Sequence, residues 1–112
     1  MEDRPMSSRP DTEVRNNTAE SRYEIFAGGK LAGFSKYLLE DDRVVLFDTQ
    51  VDPARRGAGL GQQLAQTALE DVRKQRKVVE PRCEFIAKYI REHPEHHDLV
   101  ATEDRSPLRA AS

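Results

Sequence analysis

The stretch Arg55-Arg56-Gly57-Ala58-Gly59-Leu60-Gly61 decides how this chain is read, because it joins an apolar run ending at Val51 to an amphipathic run beginning near Gly59. Glycine accepts the positive φ of a tight turn and lets a ligand come close to the backbone. Where a helix starts, its first N–H groups have no intrahelical acceptor, and the macrodipole adds partial positive charge there. Arg55 and Arg56 add guanidinium forks that match phosphate oxygens. The segment therefore reads as an anion site at a helix N-terminus, and the guest it implies is a phosphorylated cofactor.

Spacing separates the phosphate loops that could use such a segment. A nucleotide-triphosphatase loop ends in Gly-Lys-Ser/Thr, whereas Gly61 is followed by Gln62 and Gln63, which excludes that class. A dinucleotide fingerprint needs G-x-G-x-x-G, and here the third glycine comes one place early. Glu80, after Val78-Val79, imitates the ribose-binding acid of that fold, yet so short a chain cannot supply a doubly wound sheet. The pattern Arg/Gln-x-x-Gly-x-Gly/Ala fits at Arg56, Gly59 and Gly61.

Upstream of the loop the pattern is β. Tyr23, Ile25 and Ala27 alternate with Arg22, Glu24 and Phe26, and Gly28-Gly29 marks a hairpin. A second strand is expected from about Leu31 to Leu38, a turn at Glu40-Asp41-Asp42, and a third strand from Arg43 to Val51 with Val44, Val45, Leu46 and Phe47 on both faces. Downstream, Leu60, Leu64, Ala68 and Val72 recur every four residues beside Ala65 and Leu69, predicting a helix from about Gly59 to Gln75. Arg73, Lys74, Arg76 and Lys77 then place positive charge at the negative end of its dipole. Val78-Val79-Glu80 reads as a strand parallel to the third, joined through the helix by a right-handed crossover. A short helix through Phe85, Ile86, Tyr89 and Ile90 stops at His93-Pro94. The fold class is α/β (α+β): a mixed sheet with antiparallel N-terminal strands, then a βαβ unit and a short C-terminal helix.

A chain of 112 residues with a formal net charge of −2 and 34% charged residues describes one small domain. Bases interspersed with acids argue against nucleic acid as a partner. No apolar run is long enough to cross a membrane, Met1-Glu2-Asp3-Arg4 leads into no signal-like segment, and the single Cys83 suits a reducing compartment, so a cytoplasmic protein is expected. Residues 1–21 are polar, with prolines at 5 and 10, and are expected to form a disordered arm; residues 101–112 are expected to be a flexible tail. The folded domain would span 22–100, about 80 residues, a size at which stability is marginal. Strand edges exposed in so small a sheet leave it a monomer or a weak dimer.

The Arg56-x-x-Gly59-x-Gly61 signature, with this order of strands and helices, resembles the pyrophosphate loop of the GNAT acyltransferases. The likeness narrows with Asp48-Thr49-Gln50-Val51, Pro53, Pro81-Arg82-Cys83-Glu84-Phe85-Ile86, Tyr89-Ile90 and His93-Pro94, which look like the minimal single-domain GNAT family over about Tyr23 to Val100. The resemblance implies bound acetyl-CoA or CoA, with pantetheine along Thr49, Gln50 and Val51 and pyrophosphate on the amides from Gly57 through Ala58, Gly59 and Leu60 to Gly61, beside Arg55 and Arg56. It implies that a cysteine at the position of Cys83 takes or approaches the acyl group. Many members carry histidine where this chain has Asp48, and the helices that normally build the acceptor site are missing. A histidine could take a proton from a thiol; Asp48 would repel a thiolate, and could instead take the proton of an amine.

Plainer readings stand beside these. Cys83 can be a small buried hydrophobe, the glycine loop a simple turn, and Phe85 and Tyr89 core residues. His93, His96 and His97 lack converging ligand geometry and read as solvated or capping residues, with no metal. Two functions follow: acetyl transfer from acetyl-CoA to an unidentified small amine or thiol or a protein acceptor, directly or through Cys83, or a non-catalytic CoA-binding module or partner subunit.

Overall fold

Alternating apolar side chains build a mixed sheet whose strands stand in chain order, and an amphipathic helix closes one face of it. The computed structural model describes residues 7–9, 11–55 and 57–100. Among these, strands β1 (Ser7–Arg9), β2 (Thr12–Asn17), β3 (Arg22–Ala27), β4 (Lys30–Glu40) and β5 (Arg43–Val51) are successively antiparallel. Helix α1 (Leu60–Lys74) then carries the chain to β6 (Val78–Pro81), which pairs parallel to β5, and α2 (Glu84–Glu92) follows. The mixed α/β architecture and the order of elements from β3 to α2 are those expected from the sequence.

The four-residue repeat of α1 buries Leu60, Leu64, Ala68 and Val72 with Ala65 and Leu69 against Tyr23, Ile25, Tyr37, Val44, Leu46 and Val79 of the sheet. Ile86, Tyr89 and Ile90 of α2 join the same core. Tyr23 is buried, and its hydroxyl donates to Asp71 Oδ2 on α1 at 2.6 Å. Burial and that carboxylate together push the Tyr23 pKa well up, so the phenol stays a donor across the ordinary pH range.

The stretch expected to be a disordered arm contains β1 and β2, so that expectation is corrected for its described residues. β2 pairs with β3 from Thr12↔Ala27 to Asn17↔Arg22. Its one apolar side chain, Val14, is fully buried. Thr12 donates to the buried amide oxygen of Gln63 at 2.9 Å, and Asn16 accepts the Tyr37 hydroxyl at 2.7 Å. Low hydropathy concealed the strand because Glu13 and Arg15 lie on the sheet face that none of the described helices covers, where polar residues cost little. The tail expected at 101–112 lies outside the described residues.

After α2, Pro94–Leu99 forms a 3-10 turn, and Val100 bridges Val79 beside β6. His93 Nδ1–H and His97 Nε2–H donate to the α2 carbonyls of Tyr89 and Ile90 at 2.7 and 2.9 Å, which caps the helix end. Arg73 at the end of α1 grips Asp98 through both guanidinium nitrogens at 2.8 and 2.9 Å. His96 departs from the expected solvated or capping role: only 4% exposed, it leans on the Tyr89 ring, and its Nδ1 has no hydrogen-bond partner among the described residues.

Two predictions follow from these contacts. Deleting residues 1–17 removes Val14 from the core, a loss of about 2 kcal/mol for one buried aliphatic side chain, and should lower Tm by roughly 10 °C or more; a melting curve unchanged by the deletion would refute the placement of β2. Burial holds the His96 pKa below its usual value, so the unfolded chain takes up that proton first and stability should start to fall as pH drops below about 6.5. Asp98, held low by Arg73, and Glu80, held low by Arg82 and Arg43, add a second loss only at more acid pH. Melting across pH should show the first decline in the parent and not in His96→Phe.

Candidate functional site

The segment between β5 and α1 is built for backbone exposure. Pro53–Arg55 makes one 3-10 turn, with Asp52 accepting the Ala54 amide at 3.0 Å and lying 3.8 Å from Arg55 Nε. Gly57 and Gly59 follow at φ 86° and 76°, conformations that cost any other residue strain. Gly59 is the N-cap of α1 and brings no side chain to satisfy the first turn, whose first helical bond is Gln63 N–H to Gly59 O at 3.0 Å. By helix geometry the N–H groups of Leu60, Gly61 and Gln62 are left without intrahelical acceptors. A Cβ built on Gly57 or Gly59 would meet nothing within 4 Å, so the space beside these amides is open. That space is a cleft of about 380 Å³ lined by Val51, Arg55, Gly57, Gly59, Leu60 and Gly61 together with Gln62 and Phe85. Ala58 is exposed on the loop, and Arg56 lies outside the described residues.

The strand that leads into this loop carries a bulge. Tyr37 pairs with Leu46 but Lys36 pairs with Asp48, so Phe47 is an extra residue in β5. Such an insertion reverses which face every later side chain meets. Thr49 and Val51 therefore turn to the helix-covered face, with Ser35, Tyr37 and Leu46, whereas Asp48 and Gln50 turn to the open face with Lys36 and Phe34. Past the same point β5 leaves β6. The last links are Leu46↔Pro81 and Arg82 N–H to Leu46 O at 2.8 Å, after which the two strands diverge.

Cys83 sits at the mouth of that divergence as the N-cap residue of α2, partly buried against the core. Its Sγ–H donates to Thr49 Oγ1 at 3.3 Å, and Thr49 Oγ1 is 2.8 Å from the Oγ of Ser35, itself fully buried. Cysteine, threonine and serine thus form a short chain of hydrogen bonds running from the opening into the sheet. Asp48 is not part of it; its carboxylate receives the Gln50 side-chain amide at 3.3 and 3.4 Å on the opposite face. A carboxylate repelling the Cys83 thiolate, as the resemblance raised for Asp48, therefore has the sheet between the two side chains, and the cause is the bulge, which no periodicity of the sequence announces.

Glu80 has a structural occupation. It receives Arg43 at 3.0 Å and Arg82 at close range on the open face of a mixed sheet, which removes the dinucleotide reading. Ser35 and Phe85 are the residues the sequence left unassigned to a site. Ser35 reads as one more polar residue in an alternating strand, and its partner Thr49 becomes visible only when the register is known. Phe85 looked like core by helical spacing, yet it is 38% exposed and lines the cleft. Among the described residues no helix is long and apolar enough to cross a membrane.

Comparison with known proteins agrees with this architecture. Among solved structures, the ribosomal-protein-S18-alanine N-acetyltransferase from Escherichia coli superposes with a TM-score of 0.52 at 24% identity, covering 54% of this chain and 39% of that one. Ard1 from Thermoplasma volcanium gives a TM-score of 0.51 at 23% identity, with 56% and 44% covered. At such identities the likeness concerns the fold, and the chain spans only about two fifths of the length of these structures. No curated protein matches the sequence. The sequence profile of the GCN5-related N-acetyl-transferases, however, matches residues 22–99, from the first residue of β3 through α2 to the end of the turn after it, and the chain belongs to that family.

Proposed function

We propose that the protein binds acetyl-CoA in the cleft beside α1 and transfers its acetyl group to a small or protein acceptor. The observation that carries this reading is the uncapped N-terminus of α1: its amides and those of the glycine loop open on a cleft large enough for a phosphorylated ligand, with Arg55 at its rim. The pyrophosphate rests on the amides from Gly57 to Gly61, aided by Arg55 and Arg56. The pantetheine runs past Val51 toward the divergence of β5 and β6, which brings the thioester to Cys83 and Thr49.

Two routes use that placement. In the first, the acceptor attacks the thioester directly. In the second, Cys83 sulfur attacks the thioester carbonyl, CoA leaves as the thiol by taking the proton that Cys83 gives up, and the acceptor then takes the acetyl group from the new thioester. Thr49 orients the Cys83 thiol in either case. Asp48 keeps the other role open to it, accepting the proton of an amine that approaches from the uncovered face of the sheet. A CoA-binding module without catalysis is the second reading, favoured by the two-residue Gly28–Gly29 connection between β3 and β4, which leaves no acceptor helices there.

Calorimetric titration of the chain with CoA tests the site. Arg55→Glu should raise Kd about tenfold or more, equivalent to about 1.4 kcal/mol, and Gly59→Ala should also weaken binding, because at φ 76° an alanine is strained and the loop must shift. Parent-like titrations from both folded variants would refute the anion site. For the route, acid-quenched mass spectrometry after incubation with acetyl-CoA should show one acetyl adduct, absent in Cys83→Ala, which keeps its CoA affinity. An acceptor acetylated at the parent rate by Cys83→Ala would establish direct transfer instead.

A further inference from the structure

We infer that Phe85 is the apolar wall that holds the pantetheine arm of CoA, and that Gly61 is a glycine in order to seat Phe85 rather than to admit phosphate. The inference rests on the CoA reading of the cleft and adds a residue to it. The three glycines of the loop divide into two kinds. Gly57 and Gly59 have positive φ and open space where a Cβ would stand. Gly61 is the opposite: it lies in ordinary helical conformation inside α1, and a Cβ there would stand 2.8 Å from Phe85 Cζ and 3.3 Å from Cε1. The ring of Phe85 therefore lies directly on the Gly61 backbone, joining the first turns of α1 and α2.

That position gives the cleft its chemistry. One end presents backbone amides and Arg55; beside them Val51, Leu60 and Phe85 supply an apolar lining. Phe85 also lies in the first turn of the helix that Cys83 caps, two residues after it, so the apolar lining of the cleft and the thiol meet at the start of one helix. A ligand matching this sequence of surfaces has a phosphate, then an arm with apolar groups, then a reactive sulfur, and phosphopantetheine, whose arm carries a gem-dimethyl group and methylenes as well as its amides, has that order. A partly exposed phenyl ring on such a path is buried when the arm binds, and that burial of apolar surface favours binding. Its removal should therefore be read in affinity for the arm and not for the nucleotide end.

The test titrates CoA and adenosine 3′,5′-bisphosphate into the parent, Phe85→Ala, Gly61→Ala and the double variant. Phe85→Ala should raise the CoA Kd by about tenfold and leave the bisphosphate Kd within about twofold. Gly61→Ala forces the far end of a single flexible ring to move, which the fold survives, and it should weaken CoA binding in the parent background but not when Phe85 is already alanine. Equal losses for CoA and the bisphosphate on Phe85→Ala, or a Gly61→Ala penalty that persists in the double variant, would overturn the inference. A parent that binds neither ligand would overturn the CoA reading and this inference with it; a parent that binds both while Phe85→Ala binds CoA unchanged would overturn the inference alone.

Discussion

The extra residue at Phe47 governs what this small sheet can do. A β-strand offers its side chains alternately to two faces, and one inserted residue exchanges the faces for everything after it. Without the bulge, Asp48 and Gln50 would continue the buried series of Val44 and Leu46, where an aspartate would need a compensating partner. With it, Thr49 and Val51 continue that series, and Thr49 meets both Ser35 and Cys83. The bulge falls where β5 loses its pairing with β6, so the reversal of faces and the opening of the sheet are one structural event. An opening between parallel strands exposes backbone polar groups, and those groups must find partners in solvent or in a ligand.

Stability in so short a chain comes from its margins. The core of α1 against β3, β4 and β5 is completed at one end by Val14 and at the other by Val100, both essentially fully buried. The polar contacts do comparable work in fixing geometry: Tyr23 to Asp71 ties the sheet to the helix, Tyr37 to Asn16 ties β4 to β2, and the paired guanidinium contacts of Arg73 tie α1 to the last turn. Each joins positions far apart in sequence, so none could be found by local pattern. The two tyrosine bonds are partly buried; such bonds contribute modestly to net stability, but their loss leaves a buried group unsatisfied at a larger cost.

How much was legible follows from the range of each interaction. The elements from β3 to α2 were readable because helical and strand periodicity are local, and the loop was readable because its glycines and arginines are consecutive. Asp48, Thr49 and Cys83 could be nominated but not arranged, since their arrangement depends on one register shift between β4 and β5. β2 was missed for a related reason: a strand with a single core side chain has almost no hydropathy signal, and Val14 finds its place only through pairing with Ile25 across the sheet. Gly61 was readable as a loop glycine, but the ring that lies against it comes from a helix more than twenty residues away, and no local pattern pairs the two.

The face of the sheet that carries no helix among the described residues shows how a thin layer can stand in for a helical one. Glu24, Phe26, Phe34, Lys36, Asp48 and Gln50 lie there, and two phenylalanines open to water would normally call for a covering layer. Charged side chains supply it instead. Arg22 and Lys36 place their cations 5.0 and 5.6 Å from the Phe34 ring centre, and Arg15 stands 5.9 Å from that of Phe26. Arg22 is held in turn by the mostly buried Glu24 at 2.6 Å, and Arg15 by Glu13 at 3.1 Å. Long basic side chains can cover apolar surface with their stems while their charged ends stay wet, and cation–π attraction adds to that cover. The acids that anchor them keep the face from becoming a single-sign field. A layer of this kind is thinner than a helix, and Asp48, paired with Lys36 on that face, lies within it.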